Sequence, residues 1–538
     1  MSSVLMRRLA FLSNGTNRPL LAQGYRGIER EALRVDVLGH LASTLHPRRL
    51  GSALTHPHVT TDYSEALLEI ITPPAHDPAA MHQRLDLLHR HVASRLGPEM
   101  MWSHSMPCRL PPEEEIPIGL YGTSHIGTLK HVYRRGLALR YGKSMQCIAG
   151  IHYNYSVAEE VWQRLKAEES GSGSLVHHQS ESYIALIRNF RRCAWLLMYL
   201  FGASPAVSRE FPVRREMPLQ NFSSDTVYMP YATSLRMSGI GYQNNGQAGL
   251  TPDYNTLDTY VKSLAAAMNQ PHQPYVDLGT KRNGEWVQVN TNKLQIENEY
   301  YSSIRPKRVT KPGERPLHAL SENGVQYIEV RCLDIDPFEP LGVGLETCRF
   351  LDTFLLFCAL DESPLTITRE CRENTHNFAL TVEAGRRPGL SLIRDGVPIS
   401  LKMWGLEMLN RMQEVAALLD SLGGNGEYTL ALAAQKNKVR DPELTPSARV
   451  LTGIREHNSS FYNFAQHQSV SHHRYFLSHP PSDSSNDLFD AMALQSLEEQ
   501  VEIERNDTGS FDDFVKRYQD GILYAPPVEA ATPLPNEA

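Results

Sequence analysis

Pairs of ionisable residues two positions apart occur in segments that have the pattern of β-strands. In GIEREALRV, Glu29 and Glu31 project from the same side of a strand, because side chains alternate between its two faces. Glu329 and Arg331 repeat this spacing in YIEVRCLDID. Several carboxylates among packed apolar neighbours would concentrate negative charge that needs compensation. Divalent cations are the compensating groups that we expect.

Two further segments extend this predicted cluster. GIHYNYS places His152 and Asn154 two residues apart, and DYSEALLEIITP, interpreted as one strand over 62–73, carries Glu65 and Glu69. Glu69 lies in a nearly apolar stretch, so we expect a buried carboxylate that is paired or bound to metal. A histidine alone is most often structural, and only the carboxylates make His152 a candidate for binding metal or phosphate.

The ligand types favour magnesium chemistry. An isolated Glu-x-Glu pair could equally be a solvent-facing strand edge whose partners are Arg30 and Arg34, but this chain repeats the pattern. Oxygen ligands with at most one imidazole suit Mg²⁺ or Mn²⁺ rather than zinc. A large carboxylate cluster suggests two or more ions around a nucleoside triphosphate, with Arg331 beside the transferred phosphoryl group. The pattern therefore predicts phosphoryl transfer.

Composition restricts the class of protein. The chain has 538 residues, of which 41% are hydrophobic and 21% charged, so we expect a folded, water-soluble protein with a large core. Its net charge of −7 argues against nucleic-acid binding, which relies on a basic surface. Seven scattered cysteines without a CxxC pair indicate neither a disulfide framework nor a cysteine zinc site, and favour the cytoplasm. The run Ala194–Phe201 is too short to cross a membrane, which needs about 20 residues, and is interpreted as the buried end of a helix.

Periodicity predicts an α+β fold. Strand patterns concentrate before residue 340, and helical patterns dominate from there to about residue 460. Helices are predicted over Ser182–Phe201 and Glu346–Leu360. One more helix is predicted from a stripe that stops at Gly423: Trp404, Met408, Met412, Val415, Leu419 and Leu422. Surface loops or disorder are predicted at 169–174, at 478–486 and from Ala525 onward.

One basic segment leaves two interpretations open. IRPKRVTKPGERP, at 304–316, is either a solvated loop or a clamp for phosphate oxygens. Its basic residues are Arg305, Lys307, Arg308, Lys311 and Arg315. GLALRYGKS, from Gly136 to Ser144, is not a P-loop, because five residues separate its glycines where the motif needs four. GxGxxG, HExxH, GxSxG and EF-hand patterns are absent from the sequence, so dinucleotide, zincin and serine-hydrolase chemistry have no motif here.

Long segments in fixed order resemble the glutamate-cysteine ligase family of the single-chain proteobacterial type. They include GIEREALRV, LGSALTHPHVTTDYSEALLEIITP, MWSHSMPC, YGTSHIG, GIHYNYS, YLFGASPA, PYATSLRMS, LQIENEYYSSIRPKR and YIEVRCLDIDPF. The resemblance is strong over 24–360, patchy to Leu451 and weak beyond. Its main departures are the GSGS stretch near residue 171 and the His- and Pro-rich stretch after Phe461.

The resemblance implies a fold, a reaction and a domain division. The fold is expected to be similar to glutamine synthetase, with a curved, mainly antiparallel sheet that forms an active-site funnel surrounded by helices. The implied reaction joins the γ-carboxylate of glutamate to the amine of cysteine at the expense of ATP, through γ-glutamyl phosphate, in the first step of glutathione biosynthesis. Mg²⁺, or Mn²⁺ in its place, is the implied cofactor. We expect a cytoplasmic monomer with a catalytic domain at 1–460, an extension of uncertain fold at 461–524 and a disordered tail at 525–538.

The resemblance also implies roles for individual residues. The implied metal ligands are Glu29, Glu31, Asp62, Glu69, His152 and Glu329. The residues implied around the amino-acid substrates are Tyr133, Arg134, Gln146, Arg236, Tyr242 and Tyr301. Arg331 would contact phosphoryl oxygens and, with Glu69, act in catalysis, while Lys307 and Arg308 would face the nucleotide. Two alternatives stay open at this point: a related ligase with another amine substrate, and a catalytically silent nucleotide or metal sensor.

Overall fold

A computed structural model describes residues 2–213, 217–240, 250–310 and 314–521. Its strands, in chain order, are β1 (Arg26–Val35), β2 (Val59–Thr61), β3 (Leu67–Ile71), β4 (Met100–Met101), β5 (Ile151–Tyr155), β6 (Ala206–Ser208), β7 (Gln220–Asn221), β8 (Thr226–Tyr228), β9 (Lys281–Arg282), β10 (Glu285–Trp286), β11 (Ile304–Lys307), β12 (Tyr327–Leu333), β13 (Ser391–Arg394) and β14 (Val397–Ser400). Seven of them form the central antiparallel sheet, in the order β11-β12-β5-β1-β3-β2 with β4 beside β1.

Helices surround this sheet. They are α1 (Ser3–Leu12), α2 (Pro78–Arg95), α3 (His125–Tyr141), α4 (Glu159–Glu168), α5 (Leu175–Phe201), α6 (Leu257–Asn269), α7 (Gln273–Leu278), α8 (Pro316–Asn323), α9 (Leu345–Leu360), α10 (Thr368–Ala384), α11 (Leu401–Arg411), α12 (Gln413–Asp420), α13 (Glu427–Arg440), α14 (Pro446–Glu456), α15 (Phe461–Ser478), α16 (Asp483–Asn506) and α17 (Phe511–Asp520). The mainly antiparallel sheet with its surrounding helices confirms the predicted α+β class. In the described part of the chain, no helix is long and apolar enough to span a bilayer.

The strand register decides which side chains share a face. Glu29 lies opposite His152 of β5, and Glu31 lies opposite Glu69 of β3. Residues directly opposite each other in an antiparallel pair project to the same side, so these four ionisable groups share one face. The other face is buried and mainly apolar, for example at Ile28, although it also carries Arg30, and it packs toward α2 and α5.

Several predicted elements differ from the observed ones. The stretch 62–73 is not one strand: a turn at 62–66 separates β2 from β3, and the Glu65 carboxylate in that turn accepts hydrogen bonds from the backbone N–H groups of His46 and Leu120, at 2.8 and 2.7 Å. The helix predicted across Trp404–Leu422 is two helices that meet at Met412. Periodicity could not detect the break, because the apolar stripe continues through it.

The C-terminal region is helical where a loop and an extension of uncertain fold were predicted. Helix α15 continues to Ser478 and α16 begins at Asp483, because the Ser482 side chain accepts a hydrogen bond from the Ser485 N–H and caps the helix. The 478–486 prediction was therefore wrong except for 479–482. The loop predicted at 169–174 is observed. The tail predicted from Ala525 lies outside the described residues.

Candidate active site

Three strands bring an imidazole and three carboxylates together on the polar face of the sheet. His152 Nδ1 lies 3.0 Å from Glu29 Oε2 and 3.4 Å from Glu329 Oε1, while its Nε2 lies 3.7 Å from Glu31 Oε1. One ligand atom from each of Glu29, His152 and Glu329 lies within 4.8 Å of the other two. This spacing allows all three to bind one cation.

Neighbouring groups fix the orientation of these carboxylates. Asn154 Nδ2 donates to Glu29 Oε1 at 2.8 Å, and the backbone N–H of Gly150 donates to Glu31 Oε2 at 2.5 Å. Gly150 also has no room for a side chain, since a Cβ built there would lie 2.1 Å from Nη2 of Arg236. Such supporting hydrogen bonds hold ligands in position for a metal ion.

Glu329 is the carboxylate with the most positive surroundings. Arg331 Nη1 donates to its Oε1 at 2.6 Å, and Lys307 Nζ lies 3.4 Å from its Oε2. Burial opposes ionisation, but the charges of Arg331 and Lys307 outweigh it and lower the pKa of Glu329 well below its ordinary value. Glu329 is therefore ionised at neutral pH although it is almost completely buried.

Glu69 is in the opposite situation. It lies across from Glu31 on β3, and burial, followed by the negative charges of its neighbours, raises its pKa well above the ordinary value. Burial also raises the pKa of Glu31, although the charge of His152 opposes this. In Glu29, by contrast, the hydrogen bond and charge of His152 overcome burial and the charge of Glu329, and lower the pKa. The cluster thus contains more carboxylate groups than the neighbouring cationic side chains neutralise.

A cavity of about 330 Å³ opens beside the cluster, and five of the residues predicted around the amino-acid substrates line it. They are Tyr133, Arg134, Gln146, Arg236 and Tyr301. Glu31, Asp62, His152 and Arg331 also line it, so metal candidates and substrate candidates share one space. Asp62 lies in the turn after β2 with 42% of its side chain exposed. Tyr242 lies outside the described residues.

Sequence reasoning missed part of the cavity wall. The missed lining residues include Tyr63, Glu113, Leu137, Arg140, Tyr141, Asn298 and Glu299, together with Arg305, which the sequence analysis assigned to the basic segment. One signal was available: Tyr133, Arg134, Leu137, Arg140 and Tyr141 share one face of α3 at helical spacing. The residues from loops had no comparable pattern.

The basic segment divides between several sites. Lys307 faces Glu329 across the strand pair, whereas Arg308 follows the end of β11 and donates from Nη1 to the carbonyl of Gly324 at 3.0 Å. Arg305 lines the cavity, and Arg315 forms a buried ion pair with Glu297. Lys311 lies outside the described residues. Neither a simple solvated loop nor a single clamp describes the segment.

Comparison with known proteins assigns the chain to the ligases. The family model described as Glutamate-cysteine ligase matches residues 9–381. A glutamate-cysteine ligase of Janthinobacterium sp. (strain Marseille) is 58% identical over 96% of this chain and 98% of the relative. One of Pseudomonas aeruginosa (strain UCBPP-PA14) is also 58% identical, over 97% of this chain and 99% of the relative.

A solved structure agrees with these sequence matches. The crystal structure of a glutamate-cysteine ligase from Francisella tularensis in complex with AMP superposes with a TM-score of 0.87 at 35% identity, covering 92% of this chain and 97% of that chain. The chain belongs to the glutamate-cysteine ligase family. The resemblance read from the sequence motifs is thus confirmed, and it extends well beyond Leu451, where the motifs were weak.

Proposed function

We propose that the protein joins the γ-carboxylate of L-glutamate to the amine of L-cysteine in an ATP-dependent reaction. A carboxylate is a poor electrophile at neutral pH, so a carboxylate oxygen first takes the γ-phosphoryl group as its bond to ADP breaks. The cysteine nitrogen then attacks the acyl carbon, a proton leaves the nitrogen, and inorganic phosphate departs. The observation that carries the proposal is the opening of the acidic cluster into a cavity lined by Arg134, Arg236 and four tyrosines.

The donor set fits Mg²⁺. The ligand atoms of Glu29, His152 and Glu329 are close enough for one ion, and Glu329 Oε2 is buried without a hydrogen bond from any described residue. We propose that Glu31, Asp62 and Glu69 complete the ligands for two or more ions. When bound, Mg²⁺ would neutralise phosphate charge and the excess carboxylate charge. Mn²⁺ has the same preference for oxygen ligands and is the expected substitute.

The protein's own residues would bind and orient the reactants. We assign Arg331 to the transferred phosphoryl group, because it reaches both the cavity and Glu329. Arg236 and Arg134 suit the carboxylates of the amino acids, and Tyr133 and Tyr301 suit the small thiol side chain. Glu69 does not appear among the cavity-lining residues, so of its two predicted roles we favour that of metal ligand.

The nucleotide is proposed to approach from the Lys307 side. Lys307 and its register partner Tyr327 flank Glu329 but do not line the cavity, so they mark a second approach to the cluster. The Francisella relative was crystallised with AMP, which supports a nucleotide site in this family. Arg308 contacts Gly324 instead of the cluster, so a direct nucleotide role for Arg308 has no support in its contacts.

Two further properties belong to this proposal. We propose a monomer, which light scattering of the purified protein would test. We also propose a cytoplasmic location, because the seven cysteines are free thiols and such thiols persist in reducing compartments.

The decisive experiment supplies ATP, Mg²⁺, glutamate and cysteine to the purified protein and identifies the product by mass spectrometry. We expect γ-glutamylcysteine and equimolar ADP, and loss of both after chelation with EDTA, reversed by added Mg²⁺ or Mn²⁺. Parallel reactions with 2-aminobutyrate and a panel of amines test for another preferred amine. ADP formation without dipeptide, a preferred amine other than cysteine, or unchanged turnover after thorough chelation would contradict the proposal.

A further inference from the structure

The last described helix, α17, carries an amphipathic stripe that packs against α3. Phe511, Phe514, Val515 and Tyr518 follow one another at the spacing of one helix face, and Val515 is only 1% exposed. With residues of α3 they form a second hydrophobic cluster, separate from the main core. Its members on α3 are Ile126, Leu129, Val132 and Tyr133, and the centre of the His125 ring lies 5.5 Å from that of the Phe514 ring, with the two planes tilted by 37°.

Helix α3 has two functional sides. Leu129 and Val132 face α17, whereas Arg134, Leu137 and Arg140 line the cavity. Tyr133 belongs to both sets, since it lines the cavity and also packs against the α17 cluster. A helix is rigid over such short distances, so a shift at the α17 contact moves the cavity wall with it.

Helix α17 is also linked, through Arg315, to a second wall of the cavity, which is formed by residues 295–305. The Tyr518 ring lies 4.5 Å from the guanidinium of Arg315, which forms the buried ion pair with Glu297. Residue 297 directly precedes Asn298 and Glu299 of the lining. The α3 wall therefore packs directly against α17, and the 295–305 wall is linked to the same ten-residue helix through Arg315.

A buried amide joins the two walls. The Gln295 side chain accepts from the Val289 N–H at 2.9 Å and donates to the Tyr133 carbonyl at 3.2 Å. The Gln519 side chain of α17 donates to the carbonyl of the same Val289 at 2.6 Å. Gly136 makes room for the connection, because a Cβ there would lie 2.1 Å from Gln295 Oε1.

The preceding helix, α16, fixes the beginning of α3. The backbone N–H of Thr123 donates to Glu504 at 2.8 Å, and that of His125 donates to Asp507. Carboxylates at a helix N-terminus stabilise it by accepting from its unpaired N–H groups. The C-terminal helices thus hold α3 at its start and along its outer side.

We infer that α17 is a positioning element for the amino-acid substrates: it sets the distance between the α3 wall and the 295–305 wall. The inference deepens the proposed function and rests on it, because it assigns this role to the cavity in which the amino acids would bind. No residue of α17 lines the cavity, so the helix would act through Tyr133 and Gln295. Lys307 lies on β11, two residues beyond Arg305 at the end of the 295–305 wall, so we expect a change in α17 to affect nucleotide binding less than amino-acid binding.

The test variant is Phe514→Ala, which removes the ring beside His125 while leaving the buried Val515 in place. We expect the KM for cysteine to rise roughly tenfold, because a small displacement of a binding wall weakens the fit of a small ligand. The KM for ATP and the kcat should stay within about twofold of the wild type by the same geometric argument. Phe514→Leu keeps an apolar contact and should restore most of the affinity.

Two controls separate positioning from general damage. Lys516→Ala lies on the exposed side of the same helix and should leave all constants unchanged. Gln519→Ala removes only the bond to Val289 and should raise the KM for cysteine without changing the packing of Phe514. Hydrogen exchange of residues 125–141 should become faster in Phe514→Ala, while that of β1 stays slow.

The outcomes are distinct. Wild-type protein that makes no dipeptide would contradict the proposed function itself. Active wild-type protein with an unchanged cysteine KM in both Phe514→Ala and Gln519→Ala would overturn only the positioning role. A fall in kcat with an equal rise of every KM and faster exchange in β1 would also overturn it, because that pattern indicates global loss of structure.

Discussion

The two faces of the central sheet share one backbone but carry different side chains, charged ones on one face and core residues on the other. On one face Glu29, His152 and Glu329 lie side by side, although burial of so much charge is unfavourable. On the other face Tyr153 and Ile328, their immediate neighbours in sequence, are fully buried in the main core. Because side chains alternate along a strand, each residue proposed to bind a ligand is directly next to a residue that stabilises the core. Substitutions on the two faces should therefore have different, and nearly exclusive, consequences.

The largest effect should come from the acidic face. Glu69→Gln removes a carboxylate ligand, and we expect ligation to fall about a thousandfold, the loss seen when a key electrostatic group is removed from an active site. The unfolding midpoint without metal should stay the same or rise, since burial, and after it the negative charges of its neighbours, raise the pKa of Glu69 and make its ionised form unfavourable. Steady-state kinetics and urea unfolding measure the two quantities. Glu322→Gln, an exposed change, is the matched control; ligation retained in Glu69→Gln would remove Glu69 from the proposed ligand set.

The apolar face should respond in the opposite way. Ile328→Ala removes a fully buried side chain next to Glu329, so the free energy of unfolding should fall by about 2–5 kcal/mol. The kcat of the remaining folded protein should change by less than about threefold, because Ile328 points away from the cluster. Urea unfolding and kinetics at low temperature test both statements. A large loss of kcat in stably folded protein would show that the two faces are not independent.

The free energy of unfolding should decrease as the pH falls, because buried histidines resist protonation in the folded protein. Burial lowers the pKa of His104 to about 3, so below about pH 6.5 the unfolded chain binds a proton that the folded protein rejects. Stability contributed at neutral pH is therefore lost as the pH falls, by about 1.4 kcal/mol between pH 7.5 and 5.5 for this one residue.

The pH effect can be isolated with His104→Asn, which keeps an acceptor for the Met106 N–H. The stability difference between wild type and variant, from urea unfolding, should shift by about 1.4 kcal/mol in favour of the variant at the lower pH. His177→Asn at an exposed position is the control. Parallel pH profiles of wild type and His104→Asn would contradict the assignment.

The smallest effect should come from Arg30, a buried residue that lies between Glu29 and Glu31 in the sequence but on the opposite face of β1. Arg30 is 1% exposed, and its described polar contacts are the sulfur of Met101 and the carbonyl of Trp102, without a carboxylate. Burial lowers its pKa to about 10. Arg30→Met should therefore leave the unfolding free energy within about 1 kcal/mol of the wild type or raise it. A loss above about 2 kcal/mol in urea unfolding would mean that Arg30 is better compensated than its contacts indicate.

The strand patterns were enough to predict the acidic cluster but not the cavity. Period-two alternation placed Glu29 and Glu31 on one face, and only the antiparallel register, which sequence does not specify, brought His152 and Glu329 to them. Arg140 could have been found from helical spacing after Tyr133, whereas Tyr63 lies in a turn and Asn298 in a 3₁₀ helix of three residues, too short to give a sequence pattern.

The fold predictions failed where local signals were hidden. The break at Met412 interrupts an apolar stripe that continues on both sides, so periodicity indicated one helix. The stretch 478–486 has the composition of a loop, yet Ser482 serves as a cap that allows α16 to start within it. The turn between β2 and β3 depends on Glu65 accepting two distant N–H groups, a contact that no local pattern encodes.

Gly150 has a consequence for any effort to change the substrate range of this enzyme. Its N–H holds Glu31, and the missing side chain leaves space for the Arg236 guanidinium. Even a methyl group would push the arginine aside while disturbing the backbone that holds the glutamate. Libraries that randomise the cavity should therefore keep this codon fixed, because variation there would disturb both Glu31, a proposed metal ligand, and Arg236, a proposed partner of a substrate carboxylate, and conceal useful changes elsewhere.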